Sequence, residues 1–335
     1  MRRRTVLGLA GAVLAAPAQL LAQRSQKVYR LGAFPFRQTL LMREHMRVFR
    51  ESLKQLGFAE GRNLQIAEEY NSADPAVRRE SLGRLLRTKP DVILSFGSSG
   101  TLLAQEMTAG KIPVVFTIVG DPVAYGIVKE LGRPGGNTTG VASLQREMTV
   151  KRLELIREML PKAKRIVVAA YLRDITYLAS ESLLRDSARS LGFELTTAEL
   201  SEAAAASPSA PELAVRRAIE GDADALFVYQ PMSFVAPPGL AEKIAQLAMA
   251  RRIPVFFAEA DLVARGGLLS YGPDFLDEPR RAADLVAKIF KGAKAGDLPI
   301  DQSSRYELVV NLKTAKALGL DIPPSVRPRI DRVIQ

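Results

Sequence analysis

The sequence repeats one order of short apolar runs and longer amphipathic segments, and this repeat limits the fold more than any other feature. Nine apolar runs are rich in Val, Ile, Leu and Phe. Longer segments between many of them carry apolar residues at helical spacing. Buried strands that alternate with helices are typical of parallel sheets covered on both faces. The predicted strands are residues 28–33, 64–68, 92–96, 114–118, 166–171, 195–198, 225–229, 255–258 and 268–270, and the predicted helices include residues 39–56, 76–87, 149–160, 175–191 and 240–251.

Three sequence matches recur in the same order in the two halves of the chain. Leu-Gly-Phe ends a predicted helix at residues 56–58 and again at 191–193. Strand beginnings at Asp91 and Asp224 also match, as do the runs at 111–116 and 252–257, and each pair is 133 to 141 residues apart. The repeat predicts two similar α/β lobes. The most turn-rich stretch, residues 132–141, predicts the break between them.

The first 22 residues have the anatomy of an export signal. Three arginines at residues 2–4 precede an apolar run from Val6 to Ala16, and Pro17 interrupts that run. The run is far shorter than the ~20 residues that span a bilayer. The arginines resemble the twin-arginine pattern, and ordinary secretion stays open. We expect cleavage after Ala22, with Ala18 as the alternative, and a soluble periplasmic chain.

Composition excludes several classes of chemistry. The 335 residues include no Cys and a single His, His45. A disulfide framework, a thiolate metal site and a cysteine nucleophile are therefore excluded, and a His-based triad would have to use His45. The formal net charge is +11, but Lys and Arg are spread among Asp and Glu. That spread favours a basic soluble protein over a nucleic-acid-binding one.

Ligands of open parallel α/β sheets bind beyond the carboxyl ends of the strands, so the loops after the strands hold the candidate site. The most informative loop is the Gly-Ser-Ser-Gly-Thr turn at residues 97–101. Free N–H groups at the start of the following helix would suit a carboxylate or a phosphate. No Walker-type Gly-Lys-Ser/Thr and no GxGxxG fingerprint is present, so nucleotide binding has little support. The candidate ligand-binding residues are Phe34, Phe36, Ser98, Ser99, Thr101, Asp121, Tyr171, Tyr229, Gln230 and Glu259.

These residue types also have structural interpretations. Asp121 and Glu259 occupy matching places and would receive an ammonium group or hydroxyls, or they cap helices instead. The four aromatic candidates would enclose an apolar or aromatic body, or they belong to the core. Ser98 or Ser99 would cap the helix that follows residue 97 if no ligand binds there.

Five runs of residues carry a family resemblance. Gly-Asp-Pro-Val stands at residues 120–123 and Arg-Pro-Gly-Gly-Asn-Thr-Thr-Gly at 133–140. Lys-Arg-Leu-Glu-Leu follows at 151–155, then Gly-Gly-Leu-Leu-Ser-Tyr-Gly at 266–272, and a run that begins Glu-Leu-Val-Val-Asn-Leu-Lys at 307–319. Together they resemble the ABC transporter substrate-binding protein family that includes tryptophan- and tyrosine-binding members. The resemblance covers nearly all of the chain after residue 22.

This resemblance implies a type I periplasmic-binding-protein fold, in which two Rossmann-like lobes with parallel sheets are joined by a hinge. One lobe would comprise residues 27–142 with about 273–296, and the other residues 143–272 with about 297–335. A small ligand, such as an aromatic or other amino acid or a related carboxylate, would bind between them. Hinge closure and delivery to a membrane permease with its ATPase would follow. The resemblance implies no catalysis, and we expect a monomer without metal, cofactor or nucleic acid.

The resemblance transfers residue by residue only in part. Ser98, Ser99 and Thr101 match the family's small polar turn, and Asp121 matches its Gly-Asp-Pro turn. Many relatives carry Pro-Asp-Pro where this chain has Tyr-Gln-Pro at residues 229–231. If Gln230 replaces an acid, the bound ligand differs from theirs.

Other functions stay open at this point. An exported α/β enzyme would need a cofactor fingerprint or a nucleophile with a base, and the sequence displays neither. A ligand-sensing domain of a membrane receptor would share every feature described above. A DNA-binding repressor of this fold would need an N-terminal helix-turn-helix in place of the export signal. A sugar is a weaker candidate ligand, because sugar sites usually stack aromatic rings and Trp is absent.

Overall fold

The structure is a computed structural model that describes residues 27–36, 39–72, 74–200, 210–230 and 239–335. The expected export signal and residue 231 of the Tyr-Gln-Pro turn lie outside the described residues. Within them, no helix is both long enough and apolar enough to cross a bilayer.

The first sheet has six strands, all parallel, in the order β11-β5-β4-β3-β1-β2. Continuous apolar runs form its central strands because both faces are buried. Its strands are β1 (Tyr29–Phe34), β2 (Leu64–Glu68), β3 (Val92–Phe96), β4 (Val114–Val119), β5 (Thr138–Ala142) and β11 (Asp301–Gln302).

The second sheet has seven strands in the order β13-β12-β10-β9-β8-β6-β7. Only the pair β10 and β12 is antiparallel among the strand pairs of the described residues. Its first five strands in the chain repeat the spatial order 2-1-3-4-5 of the first sheet, as the sequence repeat predicts. Its strands are β6 (Arg165–Ala170), β7 (Glu194–Glu199), β8 (Ala225–Val228), β9 (Val255–Phe257), β10 (Leu269–Pro273), β12 (Tyr306–Asn311) and β13 (Arg332–Ile334).

Helices cover both faces of each sheet. On the first sheet, Phe49 and Val286 pack on one face, and Leu82 and Ala104 pack on the other. The helices are α1 (Leu40–Gln55), α2 (Pro75–Arg87), α3 (Ser98–Thr108), α4 (Gln145–Met159), α5 (Ile175–Leu178), α6 (Glu181–Ser190), α7 (Ala210–Ile219), α8 (Leu240–Ala250), α9 (Glu278–Phe290) and α10 (Leu312–Leu318).

All nine predicted strands are present, but the predicted break at residues 132–141 is wrong. Strand β5, at Thr138–Ala142, pairs with β4 inside the first sheet. Gly140 marks a close approach within that strand, because a Cβ atom there would lie 2.4 Å from the Phe116 ring. The predicted helix at 175–191 is also divided, into α5 and α6.

Within the described residues, the chain passes between the two sheets three times. The first crossing segment, residues 143–144, leads from β5 into α4, whose apolar residues pack in the second sheet's core. The second, residues 274–277, leads from β10 to α9, which packs on the first sheet. The third, residues 303–305, leads from β11 to β12. Strand β11 pairs with β5, so the first sheet includes chain beyond residue 296.

His45 is a core residue. Its ring is fully buried in α1 and meets the Phe96 ring edge-on at 5.3 Å. Burial lowers its pKa to about 3, although a hydrogen bond with the Phe275 backbone opposes the shift. The imidazole is therefore neutral at physiological pH.

Candidate ligand-binding site at the strand ends

The strand order reverses at equivalent points in the two sheets. In the first sheet the reversal lies between β1 and β3, and in the second between β6 and β8. Ligands of such sheets bind in the crevice outside the carboxyl ends of these strands. Phe36 and the residue 97–101 turn follow β1 and β3, and Tyr171 and Tyr229 follow β6 and β8.

The start of α3 is built for a close approach. Gly97 precedes the helix with φ 71° and supplies no side-chain cap. A Cβ atom on Gly97 would lie 2.4 Å from the Phe36 ring, so glycine is what allows that ring to lie against the turn. The first helical N–H groups point along the helix axis and attract anions. Ser99, the second residue of α3, is half-buried there.

Two polar atoms near this helix start are buried without partners. The Ser98 side chain is 5% exposed, and its hydroxyl has no hydrogen-bond partner among the described residues. Asn71 donates from Nδ2 to the Phe96 carbonyl at 3.0 Å, while its Oδ1 has no partner in the same part of the chain. Buried polar atoms are usually hydrogen-bonded. These two atoms therefore mark a place where a ligand's polar groups would be satisfied.

Two candidate residues of the first sheet and its loops have structural roles. The Thr101 hydroxyl donates to the Gly97 carbonyl at 2.7 Å and is fully buried. Phe34 packs in the core against Leu82 and Ile93 and has no exposed surface. Its side chain lies on the face of the sheet that α2 and α3 cover, so it is not available to a ligand beyond the strand end. We therefore remove Phe34 from the candidate site.

In the second lobe, Gln230 binds the backbone. Its Oε1 accepts from the Tyr171 N–H at 3.1 Å, and its Nε2 donates to the Tyr171 carbonyl at 3.2 Å. The amide thus joins the ends of β6 and β8. Tyr229 is buried beside it, with its ring edge-on to Tyr177 at 5.7 Å. Tyr171 is half-buried and accessible from the strand ends.

Glu259 lies beside a buried guanidinium. Arg152 of α4 donates from Nε to the Tyr271 carbonyl at 2.6 Å and from Nη2 to the Ala258 carbonyl at 3.3 Å. Burial lowers its pKa to about 10, and the nearby Tyr229, Tyr271 and Glu259 oppose that shift. The arginine stays charged at neutral pH and holds the ends of β9 and β10 together. Glu259 is 2% exposed.

Tyr125 brings the two lobes into contact. It follows β4 in the first lobe and belongs to an apolar cluster against which Ile175 and Ala179 of the second lobe pack. Burial raises its pKa well above the ordinary value, and Tyr229 and then Asp121 add to the rise. The Asp121 carboxylate accepts from the backbone of residues 123 and 124 at 3.2 and 2.9 Å, so it also caps its own turn.

Sequence reasoning missed three residues of this region. Arg152 entered only as part of the Lys-Arg-Leu-Glu-Leu run, and its burial at the ends of β9 and β10 depends on how α4 docks. Tyr125 stands four residues after Asp121, and only the approach of α5 shows its role. Asn71 is three residues past β2, where no motif draws attention to it.

A separate groove of about 580 Å³ lies beside α10 and β13. None of the candidate residues lines it. Its polar lining residues, such as Lys316 and Arg327, are surface groups, whereas the strand ends hold buried polar atoms without partners. We therefore keep the strand ends as the candidate ligand site. The apolar residues that line the groove include Leu312, Leu320, Ile322, Ile330 and Val333.

Comparison with known proteins agrees with this architecture. A tyrosine-binding protein of Clostridioides difficile (strain R20291) is 26% identical over 273 residues, which are 81% of this chain and 75% of that protein. The crystal structure of a conserved domain protein from Vibrio cholerae O1 biovar El Tor strain N16961 is 27% identical, with a TM-score of 0.79. A Streptococcus pneumoniae ABC domain in complex with L-Trp is 20% identical, with a TM-score of 0.80. Each structure aligns over its full length with 92% of this chain.

The fold is therefore of the predicted periplasmic-binding-protein type. The family model for ABC transporter substrate-binding proteins matches residues 41–334. The chain belongs to the ABC transporter substrate-binding protein family and is a binding protein rather than an enzyme.

Proposed function

We propose that this protein is exported, captures an amino acid or a related carboxylate between its two lobes, and delivers it to an ABC importer. The observation that carries the proposal is the uncapped start of α3, where the buried Ser98 hydroxyl has no partner among the described residues. An anionic group at this point would gain both hydrogen bonds and the favourable end of the helix dipole. The relative named for tyrosine and the neighbour that holds L-Trp support an amino acid, and an aromatic one in particular.

Different candidate residues would bind different groups of such a ligand. The carboxylate would bind the α3 N–H groups and Ser98. The half-buried rings of Phe36 and Tyr171 stand at the two reversal points and would contact an aromatic body. Glu259, in the opposite lobe, would receive the ammonium group. Gln230 is an uncharged amide, and its polar atoms are already bonded to the Tyr171 backbone.

Binding would favour a closed arrangement of the lobes. We take the first sheet with α9 as one lobe and the second sheet with α4 as the other. Ile175 and Ala179 already pack across the boundary against the cluster that contains Tyr125, close to the proposed site. A ligand that contacts both lobes binds the closed state better, so it shifts the population toward closure. The permease with its ATPase would recognise that closed shape, and no cofactor or second copy of the chain is needed.

A thermal-shift screen tests the ligand class. We expect L-tryptophan, L-tyrosine or another amino acid to stabilise the chain that begins at Gln23 by about 2.7 kcal/mol at 100 times its Kd. The matched amines, which lack the carboxylate, should give no shift, because they cannot use the α3 start. Sugars serve as the second control. Equal shifts from tryptamine and L-tryptophan would contradict the proposed carboxylate site, and a response to sugars alone would contradict the ligand class.

Export and delivery have separate tests. The chain recovered from the periplasm should have the mass of a protein that begins at Gln23, because cleavage is expected after Ala22. Uptake of the labelled ligand into cells should require this chain, whereas a receptor domain would bind the ligand without changing uptake. A full-length chain retained in the cytoplasm would contradict the export proposal.

A further inference from the structure

The buried carboxyl group of Glu278 joins segments that meet between the two sheets. Glu278 is the first residue of α9, and its side chain is fully buried. Its Oε2 accepts hydrogen bonds from Thr117 Oγ1 and from the Ile118 N–H, both at 2.9 Å. Its Oε1 lies 2.6 Å from Ser143 Oγ, which donates to it. One side chain therefore ties the end of β4 to the first crossing segment.

The end of β4 is irregular at the point where Glu278 holds it. Ile118 has a φ of 56°, which is rare for a β-branched residue. The register between β4 and β5 also shifts between Phe116 and Val119. Such a backbone persists only where its surroundings hold it. The loop that follows carries Asp121 and Tyr125. The hydrogen bond between Ile118 and Glu278 therefore determines the position from which this loop begins beside the site.

The other crossing segments meet at the same end of α9. Arg281, one turn further along the helix, pairs with Asp277 at 2.6 Å and with Asp301 at 2.9 Å. It also donates to Ser304 Oγ at 2.8 Å. The Ser303 N–H donates to the Ala142 carbonyl at 2.8 Å. All three crossing segments thus meet at the start of α9, and the carboxyl group of Glu278 is fully buried there.

We propose that Glu278 is a positioning residue of the ligand site, which fixes the end of β4 against the first crossing segment with a strength that depends on its protonation. The claim about the ligand rests on the proposed function, whereas the claim about the β4 end does not. When protonated, the carboxyl group donates one hydrogen bond and accepts the others. When ionised, it accepts all three, but it is a buried charge without a basic partner among the contacts given above.

The surroundings of Glu278 make this protonation relevant near neutral pH. Burial raises its pKa to about 7, although the bonds from Ser143, Ile118 and Thr117 lower it, and Asp277 adds to the rise. Besides Asp277, the titratable or charged groups around this end of α9 include Arg281 on the same helix with its partner Asp301, Tyr306 with its neighbour Glu147, and His45 on α1, which is neutral.

The sign of the pH effect follows from the raised pKa. The unfolded carboxyl titrates near 4.5 and the folded one near 7. The contribution of Glu278 to stability is therefore fully present below about 4.5 and is lost as the pH rises through about 7. His45 acts in the opposite direction, because its lowered pKa costs stability only as the pH falls below about 6.5. The His45 contribution is the same in wild type and in a Glu278 variant, so the difference between their pH profiles isolates Glu278.

Two substitutions test the proposal on the whole chain. In Glu278→Gln, the amide oxygen still accepts from the Ile118 N–H, so the β4 end should hold while the pH dependence disappears. Wild-type folding should weaken about fourfold between pH 6.5 and 8 relative to Glu278→Gln. In Glu278→Ala, hydrogen exchange of the amides at residues 118–125 should accelerate at least tenfold. With a ligand from the screen, Glu278→Ala should raise Kd at least tenfold, and Glu278→Gln should change it about threefold or less.

The matched control is Glu44→Gln, which removes an exposed carboxylate on α1 and should keep the wild-type pH profile. If Glu278→Ala does not fold, the pH profile of Glu278→Gln decides. A Glu278→Gln profile equal to wild type, or unchanged exchange in Glu278→Ala, overturns the proposal. If no probe binds the wild-type chain, the proposed function fails, but the exchange and pH measurements still decide the role of Glu278.

Discussion

Arg152→Met should lower the free energy of unfolding by about 3–5 kcal/mol. The guanidinium donates to the carbonyls of Ala258 and Tyr271 and lies beside the buried Glu259. Methionine fills much of the space but donates no hydrogen bond, so two buried carbonyls and one carboxylate lose a donor or a charge partner. Denaturant unfolding at pH 7, with an unchanged slope against denaturant concentration, measures the effect.

The neighbouring residue provides the control for Arg152. Lys151→Met removes a cation from the same helix, but that lysine is half-exposed and pairs with Glu154 on the surface. Its loss should change stability by about 0.5 kcal/mol or less. Arg152→Lys should fall between the two variants, because one ammonium cannot reproduce the fork of donors that spans both carbonyls. Equal effects of Arg152→Met and Lys151→Met would contradict the role given to Arg152.

Ser98→Ala should weaken ligand binding by about 10- to 100-fold, which corresponds to a lost hydrogen bond to a charged group. The same substitution should leave the ligand-free protein as stable as wild type or more so. The reason is that the Ser98 hydroxyl is buried without a partner among the described residues, and its removal ends that desolvation cost. Titration calorimetry and ligand-free thermal unfolding measure the two effects, which have opposite signs.

Two controls separate this result from general damage to the fold. Ser270→Ala removes another buried hydroxyl that has no partner in the described chain, but from strand β10. It should share the stability effect and keep the ligand affinity. Thr101→Val removes a hydroxyl that is bonded to the Gly97 carbonyl, so it should cost stability. The assignment of Ser98 fails if Ser98→Ala binds ligand as tightly as wild type does.

The sequence contained most of the architecture because its signals are local. Continuous apolar runs identified the core strands, and the three repeated matches correctly indicated two sheets of the same order. Strand β5 was not predicted because Gly140 was interpreted as a turn signal. In the structure, Gly140 leaves room for the Phe116 ring of the neighbouring strand β4. The direction of β12, which is antiparallel to β10, depends on the third crossing segment, and no local pattern reveals that segment.

The site was less predictable because side-chain direction and docking decide it. The reversal-point rule selected the loops that carry the candidate site, including the start of α3 with Ser98. It could not show that Phe34 faces the core, or that the Gln230 amide is occupied by the Tyr171 backbone. It also could not identify Arg152 or Glu278, because each meets its partners only when a distant segment of the chain packs against them.

The central claim is that one ligand joins the start of α3 to the strand ends of the opposite lobe. The most direct measurement is a crystal structure with the amino acid that gives the largest thermal shift. We predict its carboxylate within hydrogen-bonding distance of Ser98 and the first N–H groups of α3, with Glu259 across from it. A ligand seated in the groove beside α10 and β13, or bound to one lobe alone, would contradict the claim.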